Sequence, residues 1–100
     1  MMKHLVMWTL KEEANGQSAA ANAKVMTDML QALPGLIPEI RHLEVSTRIA
    51  QADPGCDCVL YTEFDSQEDL DAYQVHPEHQ KCVAFIKDVV AERRVLDYWA

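Results

Sequence analysis

From Lys3 to Leu10 the chain runs Lys-His-Leu-Val-Met-Trp-Thr-Leu, and its alternating faces, His4/Val6/Trp8/Leu10 and Leu5/Met7/Thr9, are both largely apolar. A strand with one wet face alternates apolar with polar residues, whereas a strand covered on both sides reads like this one. One face is therefore expected to pack on helices and the other to meet a barrel interior or a partner. Residues 12–18 are polar and contain Asn15-Gly16, a turn signal. From Gln17 the spacing turns helical, with Ala19, Ala23, Met26, Leu30 and Leu33 recurring at intervals of four, three, four and three. Pro34-Gly35 then stops the helix. A second strand is predicted over about Glu39 to Ile49. A turn at Ala52-Asp53-Pro54-Gly55 leads to a third over Cys56 to Phe64, and the two form an antiparallel hairpin.

Ser66 is placed to cap the next helix, with Glu68 and Asp69 in the first turn where the helix dipole favours acids. His76-Pro77 interrupts that helix. The residue before a proline is pushed out of helical geometry, and proline suits the first position of a new helix. A second helix is therefore predicted from Pro77 to about Ala91, with an apolar stripe of Cys82, Phe85/Ile86 and Val89/Val90. A final strand follows over Arg93 to Trp99. The order strand, helix, strand, strand, helix pair, strand is the split βαβ, ferredoxin-like α+β plan, a four-stranded antiparallel sheet with helices on one face. Helices on one face leave the other apolar side of the first strand bare, and a large apolar face is seldom left to water. Two sheets packed face to face with twofold symmetry would cover it, so a homodimer is expected.

One hundred residues make a single domain, 1–100, with a small core to which a shared interface would add burial. The net charge of −7 and the scatter of the nine basic residues argue against duplex DNA and anionic membrane as partners. No run reaches the roughly 20 apolar residues of a membrane span, and Met1 to Lys11 alternates instead of forming a signal peptide's continuous apolar region. Three cysteines, an odd number, suit a reducing compartment. The expected location is the cytoplasm.

The segment richest in chemistry is Asp71-Ala72-Tyr73-Gln74-Val75-His76-Pro77-Glu78-His79, a tyrosine and two histidines around a forced helix break. His79 shares the buried stripe of Cys82 and Ile86. His4 on the first strand and Asp97 on the last are the groups able to meet it, since an inward carboxylate on an apolar strand needs a partner. In that arrangement neutral His79 serves as a base, held in one tautomer by Asp97, and the Tyr73 hydroxyl donates to a developing oxyanion. The same residues also suit a purely structural role, a satisfied buried pair and a tyrosine that buries its ring. His76 reads as a structural group at a helix start. His76-x-x-His79 has metal-like spacing, with His4 or His42 as a third ligand, but Pro77 disturbs it and no metal is expected. Cys56 and Cys58 lie on one side of a strand without a second ligand pair, and read as free thiols. No phosphate-binding loop, dinucleotide motif or serine nucleophile motif occurs, and no cofactor is expected.

Taken together, Lys3-His4, Leu33-Pro34-Gly35, Asp71-Ala72-Tyr73, His76-Pro77-Glu78-His79 and Leu96-Asp97-Tyr98 resemble the stress-responsive dimeric α/β-barrel (Dabb) domain family over essentially the whole chain. The resemblance implies a ferredoxin-like sheet that pairs into a homodimeric barrel. One plant branch of that family contains cyclases resembling olivetolic acid cyclase, which close a linear polyketide by aldol condensation without cofactor. Its catalytic tyrosine and histidine correspond to Tyr73 and His79, with Asp97 matching the carboxylate and His4 the strand-one histidine. Cys58 stands where the cyclase carries a further histidine. The implied ligand is a small apolar carbonyl compound, with His4, Val6, Trp8, Leu60, Phe85 and Val95 expected around it. Other readings are a non-catalytic, stress-linked or ligand-holding dimer and, by analogy of architecture alone, a cofactor-free monooxygenase.

Overall fold

A computed structural model describes all residues, 1–100. Strand β1 (Met2–Leu10) leads into a small ribbon, β2 (Glu13–Ala14) and β3 (Gln17–Ser18). Helix α1 (Ala19–Gln31) follows, then a 3₁₀ turn (Leu33–Gly35), β4 (His42–Ser46), β5 (Cys58–Phe64), α2 (Gln67–Val75), α3 (Pro77–Val89) and β6 (Val90–Trp99). The four long strands form one antiparallel sheet in the order β4-β5-β1-β6, with β1 central between β5 and β6. This is the ferredoxin-like α+β fold expected from the order of elements.

Several boundaries differ from the sequence reading. Helix α1 starts two residues late because Asn15 and Gly16 both adopt positive φ (54° and 72°), closing the two-residue ribbon that carries Gln17 and Ser18. Ser18 then caps the helix, its Oγ accepting the Ala21 N–H at 3.2 Å. Strand β4 is shorter than the expected Glu39–Ile49, and β5 begins at Cys58 instead of Cys56. Leu33 is buried in the 3₁₀ turn that Pro34 and Gly35 impose after α1.

The helix-facing side of the sheet carries Met2, His4, Val6, Trp8 and Leu10 of β1 beside Cys58, Leu60, Thr62 and Phe64 of β5, all buried. Met26 and Leu30 of α1, Leu70 and Tyr73 of α2, and Cys82, Ile86 and Val89 of α3 close over them. The opposite side of the sheet, with Leu5, Met7, Val59 and Leu96, has no helix on it. Both faces of β1 are thus apolar for the two reasons its sequence suggested: one is the core, the other an uncovered sheet.

Helix α2 begins where Ser66 Oγ accepts the Asp69 N–H at 3.1 Å, and Glu68 and Asp69 occupy its first turn. Since α2 positions Tyr73, this cap is consequential. Ser66→Ala is expected to lower stability by about 1 kcal/mol, and Ser66→Asp to retain most of it, as read by chemical denaturation.

Candidate active site

The His76-Pro77 break arranges the site. In an uninterrupted helix the Gln74 carbonyl would accept the Glu78 N–H. Here His76 is extended (φ −63°, ψ 135°), caps α3, and takes the Glu78 N–H on its own Nδ1 at 3.1 Å. The Gln74 carbonyl is released and accepts from His79 Nδ1 at 3.1 Å. A carbonyl oxygen only accepts, so His79 carries its proton on Nδ1, and the neutral ring presents Nε2 as a lone pair. Burial holds the His79 pKa below its ordinary value, and the nearby His4, Arg93 and His76 act in the same direction against the Gln74 hydrogen bond. The ring is therefore neutral and basic at neutral pH.

Tyr73, on the last full turn of α2, lies against His79 with ring centroids 4.2 Å apart, tilted by 39°. Phe64 meets the same ring at 5.0 Å, and His4 approaches edge-on at 6.2 Å. The ring is fully buried, yet its hydroxyl has no hydrogen-bond partner. Burial drives its pKa well upward, so the hydroxyl stays protonated and available as a donor. Trp8 Nε1 is the second buried polar atom without a partner. A buried donor left unpaired costs about 1–3 kcal/mol, which a ligand acceptor would recover.

Both residues line a cavity of about 360 Å³ between the sheet and helices α1, α2 and α3. Of the residues expected there, His4, Val6, Trp8, Leu60, Tyr73 and His79 all line it. Three expectations need correction. Asp97 does not hold His79: the β1–β6 register sets it directly opposite His4, and the Asp97 carboxylate is hydrogen-bonded to His4 Nδ1. The role expected of Asp97 toward His79 is filled by the Gln74 main chain, while Asp97 orients His4. Val95 shares the helix-facing side of β6 with Asp97, but it is exposed and stays outside the lining, to which β6 contributes only Val90 and Arg93. Phe85 also lies outside. It is six residues past His79, about 240° round the helix, whereas Val83, Ile86 and Lys87 fall on the His79 side. Those three, with Leu30, Gln74, Val90 and Arg93, line the cavity without having been singled out. Counting four, seven and eight positions on from His79 would have found the α3 members.

Cys58 is fully buried opposite Trp8, and desolvation raises its thiol pKa to about 11, which suits a packing role and not a nucleophile. No three His, Cys, Asp or Glu side chains converge on one point. No helix is long and apolar enough to cross a membrane.

Residues 2–100 match the sequence family described as the stress responsive A/B barrel domain (Dabb). No curated protein sequence matches the chain. Among solved structures, the chain is similar to a dimeric protein of unknown function with a ferredoxin-like fold from Bacteroides fragilis. That match has 27% identity and a TM-score of 0.84, and covers 97% of this chain and 93% of the other. A dimeric ferredoxin-like protein of unknown function from Thermobifida fusca is 22% identical with a TM-score of 0.79, over 97% and 88% of the two chains. The hydroxynitrile lyase of Passiflora edulis shares the fold at 17% identity and a TM-score of 0.79, over 97% and 90%.

Proposed function

The chain belongs to the stress responsive A/B barrel domain family, and from that premise we propose that it is a homodimeric enzyme with one small-molecule cavity per subunit, in which His79 and Tyr73 act on a carbonyl compound without a cofactor. The reaction class is a lyase or cyclase step in which a carbon–carbon bond is made or broken beside the carbonyl. One observation carries the reading: a half-buried, neutral histidine with its Nε2 free lies in ring contact with a buried tyrosine whose hydroxyl has no protein partner.

The chemistry follows from these two groups. In the aldol direction, His79 Nε2 takes a proton from the carbon beside a carbonyl, and the electron pair left behind forms an enolate. The Tyr73 O–H donates to the enolate oxygen, where the charge develops. The enolate carbon attacks a second carbonyl of the same molecule, and the proton on His79 is returned to the new alkoxide. His4, oriented by Asp97, adds a polar group at the same end of the cavity. The correspondence of Tyr73, His79 and the His76-Pro77 segment with polyketide cyclases of the family supports this reading, as does the lyase activity in the name of the Passiflora edulis relative. The test is a screen of linear β-polyketone and cyanohydrin substrates with the wild type and His79→Ala. Turnover that survives His79→Ala undiminished removes the assignment. A variant that loses melting temperature, in a protein that turns over no substrate, favours the ligand-holding dimer instead. Oxygen uptake with a quinol would point to a monooxygenase.

The dimer rests on the uncovered face of the sheet. Leu5, Met7 and Val59 stand there beside Leu96, which is 52% exposed, and Tyr98, 40% exposed. Two such faces packed together would remove an apolar strip from water at about 25 cal/mol per Å². Sedimentation is expected to give twice the 11.3 kDa chain mass. Leu96→Asp, which places a charge on that strip beside Leu5, is expected to weaken the dimer at least tenfold while leaving each subunit folded. A wild type that sediments as one chain at micromolar concentration contradicts this.

A further inference from the structure

The cavity has two chemically different ends. On β1, His4 and Trp8 lie on the same face four residues apart, about 13 Å along a strand. On α3, His79 and Lys87 lie eight residues apart, roughly 12 Å along a helix. The Lys11 N–H donates to the Val89 carbonyl at 3.0 Å, which joins the far end of β1 to the far end of α3. His79 therefore sits at the His4 end and Lys87 at the Trp8 end. Arg93 is at the Trp8 end too, because the β1–β6 register sets it directly opposite Trp8 on the same face. Between the ends the walls are apolar, with Val6, Leu60 and Ile86.

The charge at the Trp8 end runs against the composition of the chain. With sixteen acidic and nine basic residues overall, the cavity is lined by two full cations, Lys87 and Arg93, and by no carboxylate. Elsewhere Lys3, Lys24, Arg41, Lys81 and Arg94 pair with carboxylates, and Lys11 donates to the Asp88 carbonyl. Lys87 and Arg93, like Arg48 in the loop after β4, form none of the molecule's ion pairs or side-chain hydrogen bonds, but only these two line a cavity. The position of Lys87 in the last turn of α3 is partly explained by the helix dipole. Arg93, on an edge strand, has no such explanation. Trp8 Nε1, a buried donor without a partner, belongs to the same end.

We infer that Lys87, Arg93 and Trp8 form a carboxylate-binding subsite, and that the ligand is an elongated apolar acid whose carbonyl, at its far end, reaches Tyr73 and His79. This rests on the carbonyl chemistry proposed above and adds the class of compound that fills the cavity. A guanidinium fork, an ammonium and an indole N–H are three donors with no acceptor among them, which suits a carboxylate and rejects a cation. A bound carboxylate would also offset the charge of Arg93, one of the groups that depress the His79 pKa, and so make His79 a stronger base once the ligand is in place.

The test compares 4-(4-acetylphenyl)butanoate with its primary amide, which has the same shape and no charge. Binding is measured by calorimetry and located by the ¹⁵N imidazole signals of His79. The acid is expected to bind at least tenfold more tightly than the amide. Lys87→Gln combined with Arg93→Gln, both at exposed positions, should erase that preference by weakening the acid far more than the amide. Equal affinities in the wild type, or a preference that survives the double substitution, overturn the subsite while the cavity reading stands. 4-Phenylbutanoate separates the two claims. If it binds as tightly as the ketone and is still preferred over its own amide, the subsite is upheld and the carbonyl chemistry fails. If none of these compounds moves the His79 signals, both are wrong.

Discussion

Replacing His79 by glutamine is expected to lower kcat on an active carbonyl substrate by two to four orders of magnitude, the usual contribution of a positioned general base. Glutamine keeps a polar group of similar reach on α3 but has no basic lone pair, so the loss measures proton transfer more than packing. Tyr73→Phe removes only the hydroxyl. Its expected effect is about 10²–10³-fold on kcat, the scale of one oxyanion donor. Because that hydroxyl is buried without a partner in the free protein, its removal should leave the melting temperature unchanged or slightly raised. A purely structural tyrosine–histidine contact predicts no effect of either substitution on rate, with a loss of stability only for His79→Gln.

The pH dependence follows from the same group. The His79 pKa is held below 6.5, chiefly by burial, so the neutral, basic form dominates at neutral pH. The acid limb of kcat/KM should therefore lie below 6.5 and disappear in a variant without the imidazole. Stability moves with the same sign. Between the folded-state pKa and 6.5 the unfolded chain binds the proton and the folded one does not. The contribution of His79 is then complete above 6.5 and is lost as pH falls through that window. Denaturation of wild type and His79→Gln at several pH values reads it directly. A wild-type acid limb lying above 6.5 would contradict the neutral histidine.

The largest loss of stability is expected from Phe64→Ala. Phe64 is fully buried at the end of β5 and packs on the Tyr73 ring, with ring centroids 5.0 Å apart. Truncating a buried phenylalanine costs about 3–5 kcal/mol, as lost transfer free energy plus the cavity left behind. That is a large part of the 5–15 kcal/mol typical of a domain, and should lower the melting temperature by at least 12 °C. The substitution also frees Tyr73 to tilt. A Phe64→Leu variant, which refills most of the volume, should recover most of the stability but less of the activity. Equal recovery of both would mean that Tyr73 needs no fixed orientation, and the oxyanion role would be lost.

The residues that were legible and those that were not fall along a physical line. The order of elements, both apolar faces of β1, the Ser66 cap and the break at His76 follow from neighbours within a few positions in the chain. His76 itself shows this: proline at the next position forces it out of helical geometry, and the structure finds it capping α3. The break also frees the Gln74 carbonyl, but whether any donor reaches that carbonyl depends on how α3 turns after Pro77. That turn places His79 Nδ1 there, so a main-chain oxygen fills the place assigned to Asp97.

Local patterning, then, already decided which segments are strands and helices, where they stop, and that Tyr73 and His79 stand on either side of a helix break, because hydrophobic period and turn chemistry act over a turn or two of chain. It left open which interior groups touch. Asp97 meets His4 because two strands distant in sequence pair in one register, with His4 opposite Asp97 and Trp8 opposite Arg93. Val95 is left exposed outside the cavity, although Val90 and Arg93 of the same strand line it. Such choices are made when the sheet and helices pack, and a one-residue slip would reverse them by turning every side chain of β6 to the other face.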